Sequence, residues 1–206
     1  MYQYLRYLSV VLISMALGLG AAPLYAQNPG KPFKSPLKNF AIMIPEFPFG
    51  TTVQKQNSKE GGTVSFLGVT GAVRRIDYTR LPTDIALPTD STELQALYHM
   101  ALDDLLRANP SSLLTERPYT LDNAVMLLAP VSFPAGSHLQ DAASGKRMDS
   151  IRGVLIFARG GFMYLLHTEL SANVFNRPEE LPFPLEELNR RVEIFIPELY
   201  RSITFL

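Results

Sequence analysis

The sequence predicts an α+β fold, an antiparallel β-sheet with helices on both faces. Three observations predict it. Residues Ser150–Ala172 form a hairpin pattern whose two faces are both largely apolar. Two stretches, one from Ser91 and one from Pro184, repeat apolar residues at helical spacing. The elements come in the order strands, helix, strands, hairpin, helix, which places covering helices around a continuous sheet.

The chain opens with Arg6 and an uncharged apolar run from Leu8 to Ala22, followed by Pro23-Leu24-Tyr25-Ala26. A positive start, an apolar stretch and a small residue before a cut are the marks of a secretory signal peptide. Cleavage is expected after Ala26, although Leu24 suits the second recognition pocket less well than Ala or Val. The alternative is a retained membrane anchor, against which the run is shorter than the roughly 20 residues of a bilayer-spanning helix and holds Gly18 and Gly20. The expected division is 1–26 signal peptide, 27–39 linker and 40–206 a single globular domain. Removing residues 1–26 from the 206 leaves about 180, enough for one well-buried core. Localisation is then periplasmic or secreted, yet the chain has no cysteine and forgoes disulfides.

Residues 27–38 read QNPGKPFKSPLK, with three prolines and a glycine, and predict an extended, solvated linker. Lys31, Lys34 and Lys38 make it basic and suited to weak contact with an anionic surface. The formal net charge of the chain is zero, so no broad basic field recruits nucleic acid.

FAIMIP from Phe40 and TTVQKQ from Thr51 are strands, and residues 63–81 are one long strand or two broken near Gly68 or Gly71. Ser91–Arg107 is a helix with Asp90 as N-cap and Glu93 as its capping-box partner. Leu94, Leu97, Tyr98, Ala101, Leu102, Leu105 and Leu106 form its apolar face, with Gln95, His99 and Asp103 opposite. Asn109-Pro110 ends it. Residues 119–134 read as one further apolar strand, and Pro134–Asp149 as a polar loop.

The hairpin can be registered from sequence alone. Gly160-Gly161 is a two-residue turn, so Arg159 faces Phe162. Counting back, Phe157 faces Tyr164, Leu155 faces Leu166, Ile156 faces Leu165, Val154 faces His167 and Arg152 faces Glu169. The last helix begins at Pro184 and carries Leu185, Leu188, Val192, Phe195 and Leu199 as a stripe. Pro197 is expected to kink or end it, and the closing ITFL to finish as a short strand.

This layout resembles that of the PsbP family, the extrinsic photosystem II subunits and their relatives. The resemblance rests on the Phe40–Gly50 lead-in, the strands up to Tyr78, the helix ELQALYHMALDDLL, the hairpin at Gly160-Gly161 and the closing LEELNRRVEIFIPELYRSITF. It implies an α/β/α sandwich. It carries no metal ligand onto this chain, and the family's several unrelated roles make it a statement about fold.

Chemistry-bearing motifs are few. There is no cysteine nucleophile and no G-x-S-x-G elbow. Gly145-Lys146-Arg147 lacks the spacing of a phosphate loop. His99 reads as a solvated helix residue. His138 and Asp141, in the polar loop, are candidate metal ligands if a distant carboxylate joins them. His167 and Glu169 lie two apart on a strand and so share a face, with Arg152 opposite Glu169. The plain interpretation is a cross-strand ion pair beside a hydrogen-bonded histidine. The chemical one is a pocket in which His167 is acid or base and Arg152 holds an anionic group. No cofactor fingerprint is present. The expected role is therefore a non-catalytic exported protein that binds a protein partner or assists an envelope assembly, with Ile194 and Ile196 as candidate contact residues. The alternative is a small-molecule binder or hydrolase using His167, Glu169 and Arg152.

Overall fold

The computed structural model describes residues 25–26, 30–47, 50–68, 73–82, 87–109, 111–140, 144–173 and 184–206. The expected signal peptide lies outside them, apart from the backbone of its last two residues. Among the described residues the strands are β1 (Tyr25–Ala26), β2 (Pro32–Lys34), β3 (Phe40–Met43), β4 (Thr51–Asn57), β5 (Gly61–Gly68) and β6 (Val73–Arg80). Helix α1 (Ser91–Ala108) follows, then β7 (Ser112–Leu113), β8 (Arg117–Leu121), β9 (Ala124–Phe133), β10 (Asp149–Arg159) and β11 (Phe162–Asn173). Helix α2 (Leu185–Arg201) and β12 (Ile203–Phe205) close the chain. The main sheet runs β1-β4-β5-β6-β11-β10-β9-β7, with β8 also on β9, and every pairing in it is antiparallel. A second antiparallel sheet runs β12-β3-β2. The α+β class and its antiparallel sheet stand.

The β10–β11 register is the counted one from Arg159↔Phe162 to Arg152↔Glu169, with a bulge between Ile151 and Arg152. Gly160 and Gly161 both take positive φ, which the tight turn requires. Gly153 also serves packing: a Cβ there would lie 3.1 Å from Val192 Cγ2 and 3.3 Å from Ile196 Cγ1. α2 thus seats closely on β10. Helix α1 starts as expected, with Asp90 Oδ1 accepting from the Thr92 and Glu93 amides at 2.8 and 3.1 Å.

Several expectations are corrected. Residues from Gly30 onward are not a solvated linker. Phe33 is buried, its ring 6.1 Å from those of Phe40 and Phe66, and that single aromatic anchors β2 despite the prolines around it. Ser35 and Asn39 are buried too, hydrogen-bonded to each other across the turn. The run 119–134 is a hairpin, β8–β9, because Asp122 and Asn123 both adopt positive φ (50° and 63°). Pro197 does not end α2, which continues to Arg201. The amide hydrogen bond lost at proline is offset by burial of Ile196, Leu199 and Tyr200 around it. Gln95 is not on a wet face: its Nε2 donates to Met126 O of β9 at 2.8 Å. Ile196 is fully buried and leaves the list of contact residues, whereas Ile194 is 42% exposed.

Candidate functional site

Strand alternation and register build the site. β10 pairs with β11 at Arg152↔Glu169, and β11 pairs with β6 at His167↔Arg75 and Leu165↔Asp77. β6 pairs with β5 at Asp77↔Thr63 and Arg75↔Ser65. Successive strand residues point to opposite faces. Thr63, Ser65, Arg75, Asp77, His167, Glu169 and Arg152 therefore share one face, opposite to that of Gly153 and α2.

Asp77 is the centre. It is 0% exposed, and its carboxylate is met from three sides. Arg75 Nε donates to both oxygens at 2.9 Å. Thr63 Oγ1 donates to Oδ1 at 2.6 Å. His167 Nε2 lies 2.9 Å from Oδ2. Burial alone would push the Asp77 carboxyl up, but Arg75, His167 and Thr63 together hold it well below the usual carboxylate range. Asp77 is thus ionised, with its Oδ2 turned to His167.

His167 is 1% exposed. Burial lowers its pKa, and Arg75 and Arg152 push the same way, against the attraction of Asp77. Neither Nδ1 nor Nε2 makes a well-directed hydrogen bond among the described residues, although Nε2 stands close to Asp77. The Phe133 ring lies 6.5 Å from the imidazole. Glu169 accepts from Ser137 Oγ at 3.1 Å, and burial raises its pKa against the pull of Arg152, Ser150 and Ser137. Arg152 donates to Gly136 O and, through Nε, to Ser150 Oγ at 3.3 Å, with its guanidinium 5.1 Å above the Phe133 ring. Burial brings its pKa down to about 10, and Arg75 adds to that.

The loop after β9 is thereby tied across the end of the sheet. Gly136 O receives Arg152 of β10, Ser137 reaches Glu169 of β11, and His138 Nε2 lies 2.8 Å from Gly68 O of β5. Ser137 itself is fully buried, so this part of the expected polar loop is a packed strap. Among the described residues that carbonyl is the partner of His138, and burial lowers its pKa. Its expected metal partner Asp141 lies outside the described residues. Among the described residues no group of three or more His, Asp or Glu is placed to hold a metal ion. His99 is not simply solvated: its Nδ1 lies 3.4 Å from Glu116 Oε1.

The structure therefore brings together His167, Glu169 and Arg152, as expected, and adds Asp77, Arg75, Thr63 and Ser137. Sequence reading passed over Arg75 and Asp77, although their two-residue spacing on a β-strand matches that of His167 and Glu169 and was visible in RRIDYT.

No family model and no curated protein matches this chain. Among solved structures it is similar to the solution structure of a cyanobacterial PsbP from Synechocystis. The identity is 12%, 92% of this chain and 96% of that chain are covered, and the TM-score is 0.46. That likeness is one of fold.

The buried pair sets a pH dependence. A histidine whose folded pKa lies below its unfolded value of about 6.5 supports the fold fully above that value. Its contribution is lost as pH falls toward the folded pKa, by up to about 1.4 kcal/mol per unit. The raised pKa of Glu169 works in the opposite sense, its contribution being present at acid pH and lost as pH rises. Urea unfolding between pH 7 and 5 should show a loss of stability on acidification in the wild type relative to His167→Gln. Parallel curves for the two proteins would contradict a buried neutral His167.

Proposed function

We propose that this chain is an exported, non-catalytic protein of the cell envelope that binds a protein partner. The observation that carries the reading is the burial and mutual engagement of the candidate reactive groups. His167 is held against Asp77, Glu169 is bonded to Ser137, and Arg152 to Gly136 O. Such an arrangement reads as a polar joint that locks a strap onto a sheet. Export is supported by the N-terminal sequence pattern. No helix among the described residues is long and apolar enough to cross a membrane. The reading includes helices on both faces of the sheet. Gly153 meets α2 on one face, and α1 is joined to β9 and β10 through Gln95 and Tyr98, whose Oη accepts from the Ala158 amide at 3.3 Å. Ile194, on α2, is the candidate contact residue for the partner.

Affinity capture from the envelope fraction, read by mass spectrometry, tests this. Ile194→Glu should abolish capture of the same protein that the wild type retains, and a folded His167→Gln should retain it. Loss of capture with His167→Gln alone would count against the reading.

A second reading, a small-molecule binder or hydrolase, is favoured by one observation. Both ring nitrogens of His167 and Oε2 of Glu169 are buried polar atoms without hydrogen-bond partners among the described residues. Under it, folded His167→Gln would lose ligand binding or turnover.

A further inference from the structure

We propose that the outer face of the β12-β3-β2 sheet docks on an anionic lipid bilayer. This goes beyond the protein-partner reading and does not depend on it. The small sheet has two unlike faces. Phe33, Phe40, Ile42 and Ile203 are buried and pack into the core. The alternate residues Pro32, Lys34, Met43 and Thr204 are exposed, and the register places Pro32 beside Met43 and Lys34 beside Ala41. Met43 is 53% exposed and Leu206, bonded through its amide to Asn39 O, is 66% exposed. Among the described residues these are the two most exposed of the large apolar side chains, and they stand at opposite ends of β3.

Charge supplies the occupant. Lys31, Lys34 and Lys38 are all exposed, one at each end of β2 and one in the turn leading to β3. Between Gln27 and Gly50 the sequence has a single carboxylate, Glu46. Three flexible cations flanked by unburied Met and Leu complement a surface that is anionic outside and apolar within. A folded protein partner would instead call for a continuous apolar patch with a polar rim.

The test is sedimentation of the full chain with phosphatidylcholine vesicles, with or without 30% phosphatidylglycerol. The apolar run Leu8–Ala22 contributes to both, so the ratio of the two affinities reports the lysine face. At roughly fivefold per lysine the ratio should approach a hundredfold at low salt. It should collapse toward one in the triple Lys31→Gln, Lys34→Gln, Lys38→Gln variant, and in the wild type at 0.5 M salt. Met43→Ser should weaken binding to both vesicle types with the ratio preserved. Equal wild-type binding to the two vesicles would overturn the proposal. So would a ratio that survives in the folded triple variant or that ignores salt.

Discussion

Asp77→Ala is expected to lower the unfolding free energy by about 3–5 kcal/mol, the range for removing one partner of a buried ion pair. The argument is one of abandoned partners. Arg75 places its Nε–H on both oxygens of this carboxylate, Thr63 donates to one oxygen, and His167 faces the other. Alanine leaves the guanidinium without its countercharge in a neighbourhood that already holds the buried Arg152. The loss is therefore larger than the net value of any single hydrogen bond. Asp77→Asn, which keeps shape and one acceptor, should cost less. Urea denaturation at pH 7 measures both, and a double-mutant cycle with Arg75→Met isolates the pair. A loss below about 1 kcal/mol for Asp77→Ala would mean that the joint contributes little to the fold.

Tyr164→Ala is the second large effect, again about 3–5 kcal/mol for an aromatic side chain removed from a packed core. Tyr164 is buried at the junction of the two sheets. Its ring stacks on Phe157 at 5.2 Å and meets the edges of Phe40 and Phe205 at 6.2 and 5.2 Å. Its hydroxyl accepts from Asn39 Nδ2 at 2.9 Å, which ties the turn before β3 to β11. Burial pushes the phenol up to about 12, so it stays protonated across the working range. Tyr164→Phe keeps the ring and should lose only about 1 kcal/mol. Chemical denaturation of both variants checks the contrast, and near-UV circular dichroism should fall sharply for alanine only. Equal costs would place the weight on the Asn39 bond instead of on packing.

These two residues mark what was legible. The cross-strand partner of Tyr164 within the hairpin, Phe157, follows from counting back through Gly160-Gly161. So do the shared face of His167 and Glu169 and the pairing of Arg152. Each depends on a two-residue turn and on strand alternation, which are local rules. Asp77 was not legible as a partner, because nothing local says that β6 lies beside β11. Some 90 residues and a helix separate Asp77 from His167 in sequence. The same limit explains Phe33. Its prolines and lysines describe a linker, and only Phe40 and Phe66, brought over it by the fold, make it an anchor. Pro197 failed for the reverse reason. A local rule predicted a kink or an end there, and burial of the last turn of α2 outweighed the end, since the helix runs on to Arg201.

The amino-acid sequence by itself determined the α+β class, the antiparallel hairpin and its register, the start of α1 at Asp90, and the gathering of His167, Glu169 and Arg152 on one face. These are set by side-chain periodicity and turn chemistry within about twenty residues of chain. Only the tertiary structure decided that an ionised Asp77 holds His167, that the loop from Gly136 to His138 is strapped over the sheet end, and that residues 32–34 join a second sheet. Those features depend on which distant strands are neighbours, and that is settled by burial of the whole core at once and by no segment alone.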